Sequence, residues 1–347
     1  MPSVDASRLT RICHDLLLTV GASEEEANTV ARHQIGANLA GHDSHGIILL
    51  STYVDRIRKG HIVPGARFEV MHETTTTARI NGNWGFGQVV QTRATRLAIE
   101  KARHSMVAAV TVAYQSHVGR LADYPLMAAE AGMIGMLVCD SGRGPKYVAP
   151  FGGRDARLGT NPISMALPSD LPAPIFVDMA TSQVAGGKIL VHRNRRKPVP
   201  LGWLLDKNGN PTTDPNDYFA GGALLPLGGL DAGHKGYGLS TMVDVFAGIL
   251  TGLGWGIDPA GKHNDGSLFI AINVAAFRPL EEFRAEVSEF ARFLKASPPA
   301  PGFKEVLYPG EIEWLTTQER LRTGIPVEDD TWTEIQKLAA SVGVSTE

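Results

Sequence analysis

Helical spacing of apolar residues is concentrated at the two ends of this chain, whereas the middle alternates short apolar runs with helical patterns. Near the start, Leu9, Ile12 and Leu16 recur at the spacing of one helix face, and Gly21 is a natural stop. Such a distribution predicts a mixed α/β layer between helical ends, and it argues against an all-helical or an all-strand fold.

Local start and stop signals mark further helices at both ends. Ser23 and Glu26 have the spacing of a capping box, which predicts that a second helix opens there. A third helix is predicted from about residue 47 to 59. After residue 280 the pattern is helical again, and Thr331 with Glu334 predicts the cap of a last helix.

The middle of the chain reads as strands and helices in alternation. A helix is predicted over residues 121–131, a long helix over 236–253, and strands over residues 106–112, 133–139, 163–167, 175–179 and 267–273. We therefore expect a helical domain of residues 1–75 that is completed by 280–347. An α/β domain of residues 76–279 would be inserted between these ends.

Composition and charge exclude several classes of protein. The chain of 347 residues has a formal net charge of −3, and its sharpest basic cluster, residues 193–197, is short and lies beside prolines. A solvated loop fits that cluster better than a nucleic-acid site does. No apolar stretch reaches the ~18 residues of a membrane helix, and no signal peptide is evident. Cys13 and Cys139 lie far apart in the sequence and form no CxxC pair. Both lie among apolar residues, so we expect buried thiols in a cytoplasmic protein.

Polar clusters interrupt the apolar pattern at a few places. In the first, residues 41–46, the pair His42 and His45 could bind a metal by residue type, but no further ligands lie nearby. Ser44 is predicted to cap a helix there, and His45 either satisfies a turn or meets a ligand. The second cluster surrounds His117 and follows an apolar run directly, where open α/β sheets bind ligands.

Two more signals concern helix starts and strand ends. His234 and Lys235 lie in a glycine-flanked segment that is predicted to open the long helix, a good seat for phosphate. Asp178 ends an apolar run and is either a helix cap or a functional group. The usual dinucleotide fingerprint G-x-G-x-x-G after a strand is missing, which argues against an ordinary Rossmann fold but not against a nicotinamide cofactor.

Taken together, these segments resemble one known family over nearly the whole chain. In order, they are GHDSHG (41–46), SH (116–117), LGTNPI (158–163), VDMATS (177–182), NPTTDP (210–215), HKGY (234–237) and YPGE (308–311). The set resembles the malate/L-lactate dehydrogenase family that is distinct from the Rossmann lactate dehydrogenases. The hydroxycarboxylate dehydrogenase B branch is the closest likeness.

The resemblance implies a fold, a cofactor and a set of site residues. It implies a non-Rossmann α/β domain that binds NAD or NADP, a helical domain from both chain ends, and a homodimer. His45 is implied as the proton carrier and His117 as a second active-site histidine, with Ser44 and Asp178 as further catalytic candidates. Implied cofactor contacts are His45, Gly119, Arg120, Leu121, Phe176, Val177, Asp178, Met179, Ala180, His234, Lys235, Gly310, Glu311, Ile312 and Glu313.

One departure from the family bears on the substrate. Many members carry an arginine three residues after the glycine of the Ser-His-Gly motif, where this chain has Leu49, and Arg120 stands where many have a small residue. The substrate, a small 2-hydroxy or 2-oxo acid, needs a cation for its carboxylate, and Arg120 is our candidate. The loss of a cation at Leu49 favours larger or aromatic 2-oxo acids over dicarboxylates.

Other functions remain open on the sequence alone. A malate/L-lactate dehydrogenase proper, a cyclic imine reductase and a ureidoglycolate-type dehydrogenase would all use the same scaffold and the same hydride chemistry. A catalytically inactive, cofactor-binding protein is the alternative outside enzymes. The presence of both histidines and Lys235 argues against inactivity.

Overall fold

The structure of the chain is a computed structural model that describes residues 1–140, 142–258, 262 and 264–347. Its α-helices are α1 (Ala6–Thr19), α2 (Glu24–Leu39), α3 (Leu50–Arg58), α4 (Gly87–Ser105), α5 (Asp123–Glu130), α6 (Gly186–Asn194), α7 (Asn216–Phe219), α8 (Gly229–Val243), α9 (Leu280–Lys295), α10 (Glu311–Thr323) and α11 (Asp329–Ser341). Short 3-10 turns at Asp43–His45 and Ile47–Leu49 connect α2 to α3, and a π-helical turn at Asp244–Ile249 extends α8.

A seven-stranded mixed sheet forms the centre of the molecule. The strands of all sheets in the described structure are β1 (Ser3–Val4), β2 (Glu69–Glu73), β3 (Thr77–Asn81), β4 (Val107–Gln115), β5 (Met133–Asp140), β6 (Ile163–Leu167), β7 (Ile175–Met179), β8 (Leu204–Leu205), β9 (Pro211–Thr212), β10 (Ala223–Leu224), β11 (Asp265–Asn273) and β12 (Ile325–Pro326). The sheet order is β2-β3-β4-β11-β5-β6-β7, with β3 and β4 parallel and the other pairs antiparallel. The remaining strands form a small β10-β8-β9 sheet and a β1-β12 pair.

Helices cover both faces of the sheet, so its strands carry apolar side chains in a continuous core. Helices α4 and α5 pack on one face, and the π-helical turn after α8 packs on the other. Val110, Val112, Leu137 and Phe269 are each at most 1% exposed. The mixed α/β fold class that the sequence predicts is therefore present.

A second core joins the two ends of the chain. Leu9, Ile12 and Leu16 of α1 share one apolar cluster with Ile325 and with Ile335 of α11. Ser23 and Glu26 form the predicted capping box at the start of α2, since each side chain bonds to the other's backbone N–H. Helical segments from both ends of the chain thus contribute to one apolar cluster.

The domain boundaries at residues 75 and 280 stay a prediction, and packing crosses both. Strand β2, which lies before residue 75, pairs with β3 in the central sheet. Helix α9, which lies after residue 280, packs through Ala291 against Ala173 in the β6–β7 connection rather than against the terminal core.

Two predicted helix starts are wrong. The long helix α8 begins at Gly229, seven residues before the predicted start at 236, because Gly228 and Gly229 adopt left-handed backbone angles that enter the helix earlier. Helix α11 begins at Asp329, and therefore Thr331 lies within its first turn instead of capping it.

Three strand ends meet at one edge of the sheet and position the polar residues described below. β4 and β5 both run antiparallel to β11. Their carboxyl ends, at Gln115 and Asp140, therefore lie beside the amino end of β11 at Asp265. The segment that carries His117 directly follows β4 at this edge.

Candidate active site

A cavity of about 870 Å³ opens at this edge of the sheet. Its polar lining includes His45, His117, Asp140, Lys146 and Asp265. Its apolar and aromatic lining includes Leu121, Tyr147, Leu190, Tyr218 and Phe219. A concave site with a few convergent polar groups is the usual form of a small-molecule site.

His45 and His117, which are 72 positions apart in the sequence, meet in this cavity. Their rings stack with centroids 5.6 Å apart and planes inclined by 17°. The fold thus brings together the two histidines that the sequence analysis singled out, one from the helical region and one from the end of β4.

A hydrogen-bond relay fixes the ring of His117. Gln88 Nε2 donates to Tyr53 Oη at 2.7 Å, and Tyr53 Oη lies 2.8 Å from His117 Nδ1. Tyr53 Oη also donates to His117 O at 3.4 Å, so the same hydroxyl contacts both the ring and the backbone of His117. The side chains of Tyr53 and Gln88 are fully buried, so this relay is shielded from water.

The backbone around His117 is held from two more directions; we call residues 116–120 the His117 loop. A Cβ at Gly87, the first residue of α4, would lie 2.1 Å from Ser116 O, so the helix can approach the loop only through a glycine. Val118 N donates to Asp265 Oδ2 at 3.0 Å. Burial raises the pKa of Asp265 to about 8, although the hydrogen bond from Val118 opposes this.

The loop that carries His45, residues 42–46, is held by Asn38 and by the C-terminal region; we call it the His45 loop. Asn38 accepts a hydrogen bond from Ile47 N at 2.8 Å and donates to Asp43 Oδ1 at 2.6 Å. Arg320 of α10 binds both carboxylate oxygens of Asp43, at 2.7 and 3.1 Å. A Cβ at Gly46 would lie 2.2 Å from Asn38 Oδ1, so this position admits only glycine.

Ser44 does not cap a helix, which corrects the sequence prediction. It lies inside the 3-10 turn Asp43–His45, whose N-cap is His42, and its hydroxyl lies 3.1 Å from His45 Nδ1. Burial, together with the nearby charges of His42 and Arg120, lowers the pKa of His45 to about 4, although Asp123 opposes this. His45 is therefore neutral at pH 7 in the free protein.

Arg120 belongs to a buried ionic cluster beside the cavity. Its Nε donates to Asp123 Oδ1 at 2.8 Å, and His33 Nδ1 lies 2.8 Å from Asp123 Oδ2. Burial alone would raise the pKa of Asp123, but Arg120 and His33 outweigh it and lower that pKa to about 2. The charge of Arg120 is therefore matched by a carboxylate of the protein.

Several of the implied cofactor residues come together beside this cluster. Asp178 Oδ2 accepts from Ala122 N at 2.8 Å, so its carboxylate serves the start of α5. Burial raises the pKa of Asp178 despite that hydrogen bond. Glu313 lies 3.5 Å from His42 Nε2, and the other oxygen of Glu313, Oε2, is buried with no partner in the described structure. A Cβ at Gly310 would lie 2.3 Å from Pro174 O, which leaves no room for a side chain.

The other implied contacts are distributed around this region. Gly119 and Leu121 line the cavity. Phe176 is buried against Gly310, Val177 and Ile312 are exposed, and Met179 and Ala180 are half-buried at the end of β7. Glu311 binds Lys295 and accepts from Tyr308 N at 3.2 Å, so its carboxylate already has partners within the protein.

Two placements differ from the sequence predictions. His234 and Lys235 are exposed in the second turn of α8, because the helix starts at Gly229, and so they do not form its N-terminus. Leu49 packs against the terminal core instead of lining the cavity. The cofactor role of Lys235 and the substrate role of Leu49 stay predictions, now without the local geometry that motivated them.

Sequence reasoning missed several residues of the site. Tyr53 lies in the predicted helix of residues 47–59 and Gln88 lies outside every predicted element, so no polar cluster marked either residue. Asp140 and Asp265 end or begin apolar strands, and that position at the ligand-binding edge was an available signal. Lys146 lies in an irregular segment between β5 and β6 that carries no pattern.

Among the described residues, no group of three or more His, Cys, Asp or Glu side chains is arranged to hold a metal ion. The same residues include no helix with both the length and the apolar character to cross a bilayer. Cys13 and Cys139 are buried free thiols.

Comparison with known proteins identifies the family. Residues 4–336 match the family model described as malate/L-lactate dehydrogenase. The chain belongs to this family. It is 42% identical to a malate dehydrogenase of Pyrococcus abyssi over 336 residues, covering 95% of this chain and 92% of the relative. It is 35% identical to hydroxycarboxylate dehydrogenase B of Escherichia coli over 352 residues, covering 99% and 95%.

Solved structures of malate/L-lactate dehydrogenase family members share the whole fold. The crystal structure of a malate dehydrogenase from Entamoeba histolytica superimposes with a TM-score of 0.92 at 34% identity, covering 99% of both chains. The family membership and the fold class that the sequence resemblance implied are thus confirmed, and this chain is of the dehydrogenase type.

Proposed function

We propose that this protein is an NAD(P)-dependent oxidoreductase that interconverts 2-hydroxy acids and 2-oxo acids. The observation that carries the proposal is the stacked pair His45 and His117 in a cavity, with His117 oriented by Tyr53. Reduction of a 2-oxo acid needs a hydride at carbon and a proton at oxygen, and an oriented imidazole near the carbonyl supplies the proton.

The environments of the two histidines suggest different roles. A His45 with a pKa of about 4 is a poor carrier of positive charge at pH 7, and as a neutral ring it donates one hydrogen bond and accepts another. His117, which is held by Tyr53 and lines the cavity at the end of β4, is the better candidate to exchange a proton with the substrate oxygen. We therefore assign the proton to His117 and orientation of the substrate oxygen to His45, which reverses the order that the resemblance implied.

The residues beside the ionic cluster fit a nicotinamide dinucleotide, which supplies the hydride when bound. The buried, unpartnered Oε2 of Glu313 suits a ribose hydroxyl, because a carboxylate oxygen accepts such a bond. Arg120 offers further guanidinium N–H groups nearby. These residues hold and orient the cofactor in the proposal, and they leave NAD and NADP both open.

The cavity walls support a substrate with a large tail. Tyr147 and Tyr218 lie 6.5 Å apart between ring centroids, Phe219 lies 5.1 Å from Tyr218, and Leu190 completes the same wall. Each CH₂ buried against such a wall contributes about 0.8 kcal/mol. We therefore propose a preference for larger or aromatic 2-oxo acids, such as phenylpyruvate.

A stripe of exposed apolar side chains supports a homodimer. Leu239, Met242, Phe246, Ile249 and Leu250 recur along α8 and its π-helical extension, and each is 41–56% exposed. An apolar helix face of this kind is typical of a surface that a second copy of the chain covers. We propose a cytoplasmic homodimer, and light scattering at micromolar concentration measures its mass.

The proposal is tested by NADH and NADPH consumption with pyruvate, phenylpyruvate and oxaloacetate. We expect turnover with at least one cofactor and the highest kcat/KM for phenylpyruvate. A tenfold preference for oxaloacetate would overturn the aromatic preference and leave a malate-type enzyme. Absence of turnover with all three acids, in a protein that binds the cofactor, would favour the inactive alternative.

A second candidate, a reductase of cyclic imines or a dehydrogenase of ureidoglycolate, has one observation in its favour. Asp140 and Asp265 place carboxyl oxygens on the cavity wall, and these could accept hydrogen bonds from substrate N–H groups. Including a cyclic imino acid and ureidoglycolate in the same panel separates this candidate from the main proposal.

A further inference from the structure

We propose that Lys146 binds the substrate carboxylate next to the reacting carbon. This inference rests on the proposed 2-oxo acid activity and names a residue that the family motifs do not include. Lys146 lines the same cavity as His45 and His117, and it lies outside every segment that carried the resemblance.

Lys146 is the cation that the cavity offers. Among the described lining residues it is the one lysine, and there is no arginine among them. The side chain is buried, with 9% of the residue exposed, and its Nζ donates to Gly142 O at 2.6 Å. An ammonium group has three donors, so this anchored bond leaves two for a ligand. A buried cation with spare donors stabilises an anion more strongly than an exposed one does.

The other candidate cations are placed less well. Arg120 is paired with Asp123, and it does not line the cavity. Position 49 carries a leucine that packs against the terminal core. Lys146 therefore supplies within the cavity the positive charge that position 49, after the Ser-His-Gly motif, lacks in this chain.

The carboxyl groups near Lys146 do not cancel this role at pH 6.5, below both of their pKa values. Burial raises the pKa of Asp265 to about 8 and that of Asp140 to about 7. The neighbouring Asp244 raises the pKa of Asp140 further, whereas Gly142 N–H and Lys146 lower it. At pH 6.5, below both values, each carboxyl group is more than half protonated and repels an anion less than an ionised carboxylate would.

The test compares acids with esters in wild type, Lys146→Met and Lys146→Arg. The substrates are pyruvate, phenylpyruvate and oxaloacetate, with the methyl esters of the first two, at pH 6.5. We expect Lys146→Met to raise KM for the acids about 10- to 100-fold, the range for a hydrogen bond to a charged group, and to leave the esters within about threefold. Lys146→Arg should recover part of the loss. Arg143→Met, an exposed cation in the same segment, is the matched control.

Each outcome decides one question. Unchanged KM values in Lys146→Met overturn the inference while the activity stands. An equal loss on acids and esters assigns Lys146 a structural role and also overturns it. A loss confined to oxaloacetate moves the contact to a second carboxylate and rejects the stated one. Absence of wild-type turnover with every acid and ester is a failure of the proposed function itself, and circular dichroism separates misfolded variants from all of these.

Discussion

The His117 loop and the His45 loop meet in one cavity but are held in different ways. The His117 loop is fixed by buried contacts, the Tyr53–Gln88 relay and Asp265. The His45 loop is fixed by Asn38 and by the ion pair of Asp43 with Arg320, in which the Asp43 side chain is 48% exposed. One histidine is therefore set by the core of the α/β layer, and the other depends on a contact near the surface with helix α10.

The largest expected effect separates the chemical roles of the two loops. His117→Asn should lower kcat by about 10²- to 10⁴-fold, the scale of a lost general acid–base group. His45→Asn should lower kcat by about 10²-fold, because it removes orientation of the substrate oxygen. Steady-state kinetics with NAD(P)H and the best 2-oxo acid measures both, with circular dichroism as the folding control. If His45→Asn is the more damaging of the two, our assignment of the proton to His117 is wrong.

The next effect concerns how strongly each loop is anchored. Arg120→Met leaves Asp123 buried without its cation, and we expect a loss of about 3–5 kcal/mol in the free energy of unfolding. Arg320→Met removes a partly exposed pair at the His45 loop, and we expect a loss of about 0–1 kcal/mol. Urea unfolding of both variants measures the difference. Equal losses would show that the two loops are anchored with similar strength.

The last comparison concerns the response of the His45 loop to acid, an effect that is absent at neutral pH. The pKa of His45 is lowered from 6.5 to about 4, mainly by burial, so between these values the unfolded chain binds a proton that the folded chain does not. Stability must therefore fall as the pH drops from 6.5 to 4, and it is fully retained above 6.5. His45→Gln should lose less stability than wild type across this window in urea unfolding, whereas the exposed His72→Gln should not differ from wild type. If His45→Gln shows the same dependence of unfolding free energy on pH as wild type, a group other than His45 binds the proton.

Local signals in the sequence predicted the local structure well. The strands β6 and β7 match their predicted bounds, because each is a short apolar run with clear limits, and the capping box of Ser23 and Glu26 is present, because it depends only on residues three apart. The start of α8 was missed because glycine is unfavourable in a helix, whereas here the left-handed backbone of Gly228 and Gly229 leads into the helix.

The site was predicted only where its residues lie in polar clusters. His45 and His117 were marked by their motifs, but their stacking depends on packing between segments 72 positions apart. The relay from Gln88 through Tyr53 to His117 also joins distant segments, and neither Gln88 nor Tyr53 lies in a polar cluster of the sequence. The sequence analysis assigned the substrate carboxylate to Arg120. It could not show that Asp123, three residues away, is buried and pairs with Arg120.

Gly46 illustrates how a signature residue can be unrelated to chemistry. Its absent side chain makes room for the amide of Asn38, which ties the loop together regardless of what enters the cavity. A chain that had lost every catalytic group would still need this glycine to fold here. When new genomes are searched for active enzymes of this type, the glycine of Ser-His-Gly therefore reports the fold, and the joint presence of His117, Tyr53 and Gln88 is the more informative criterion.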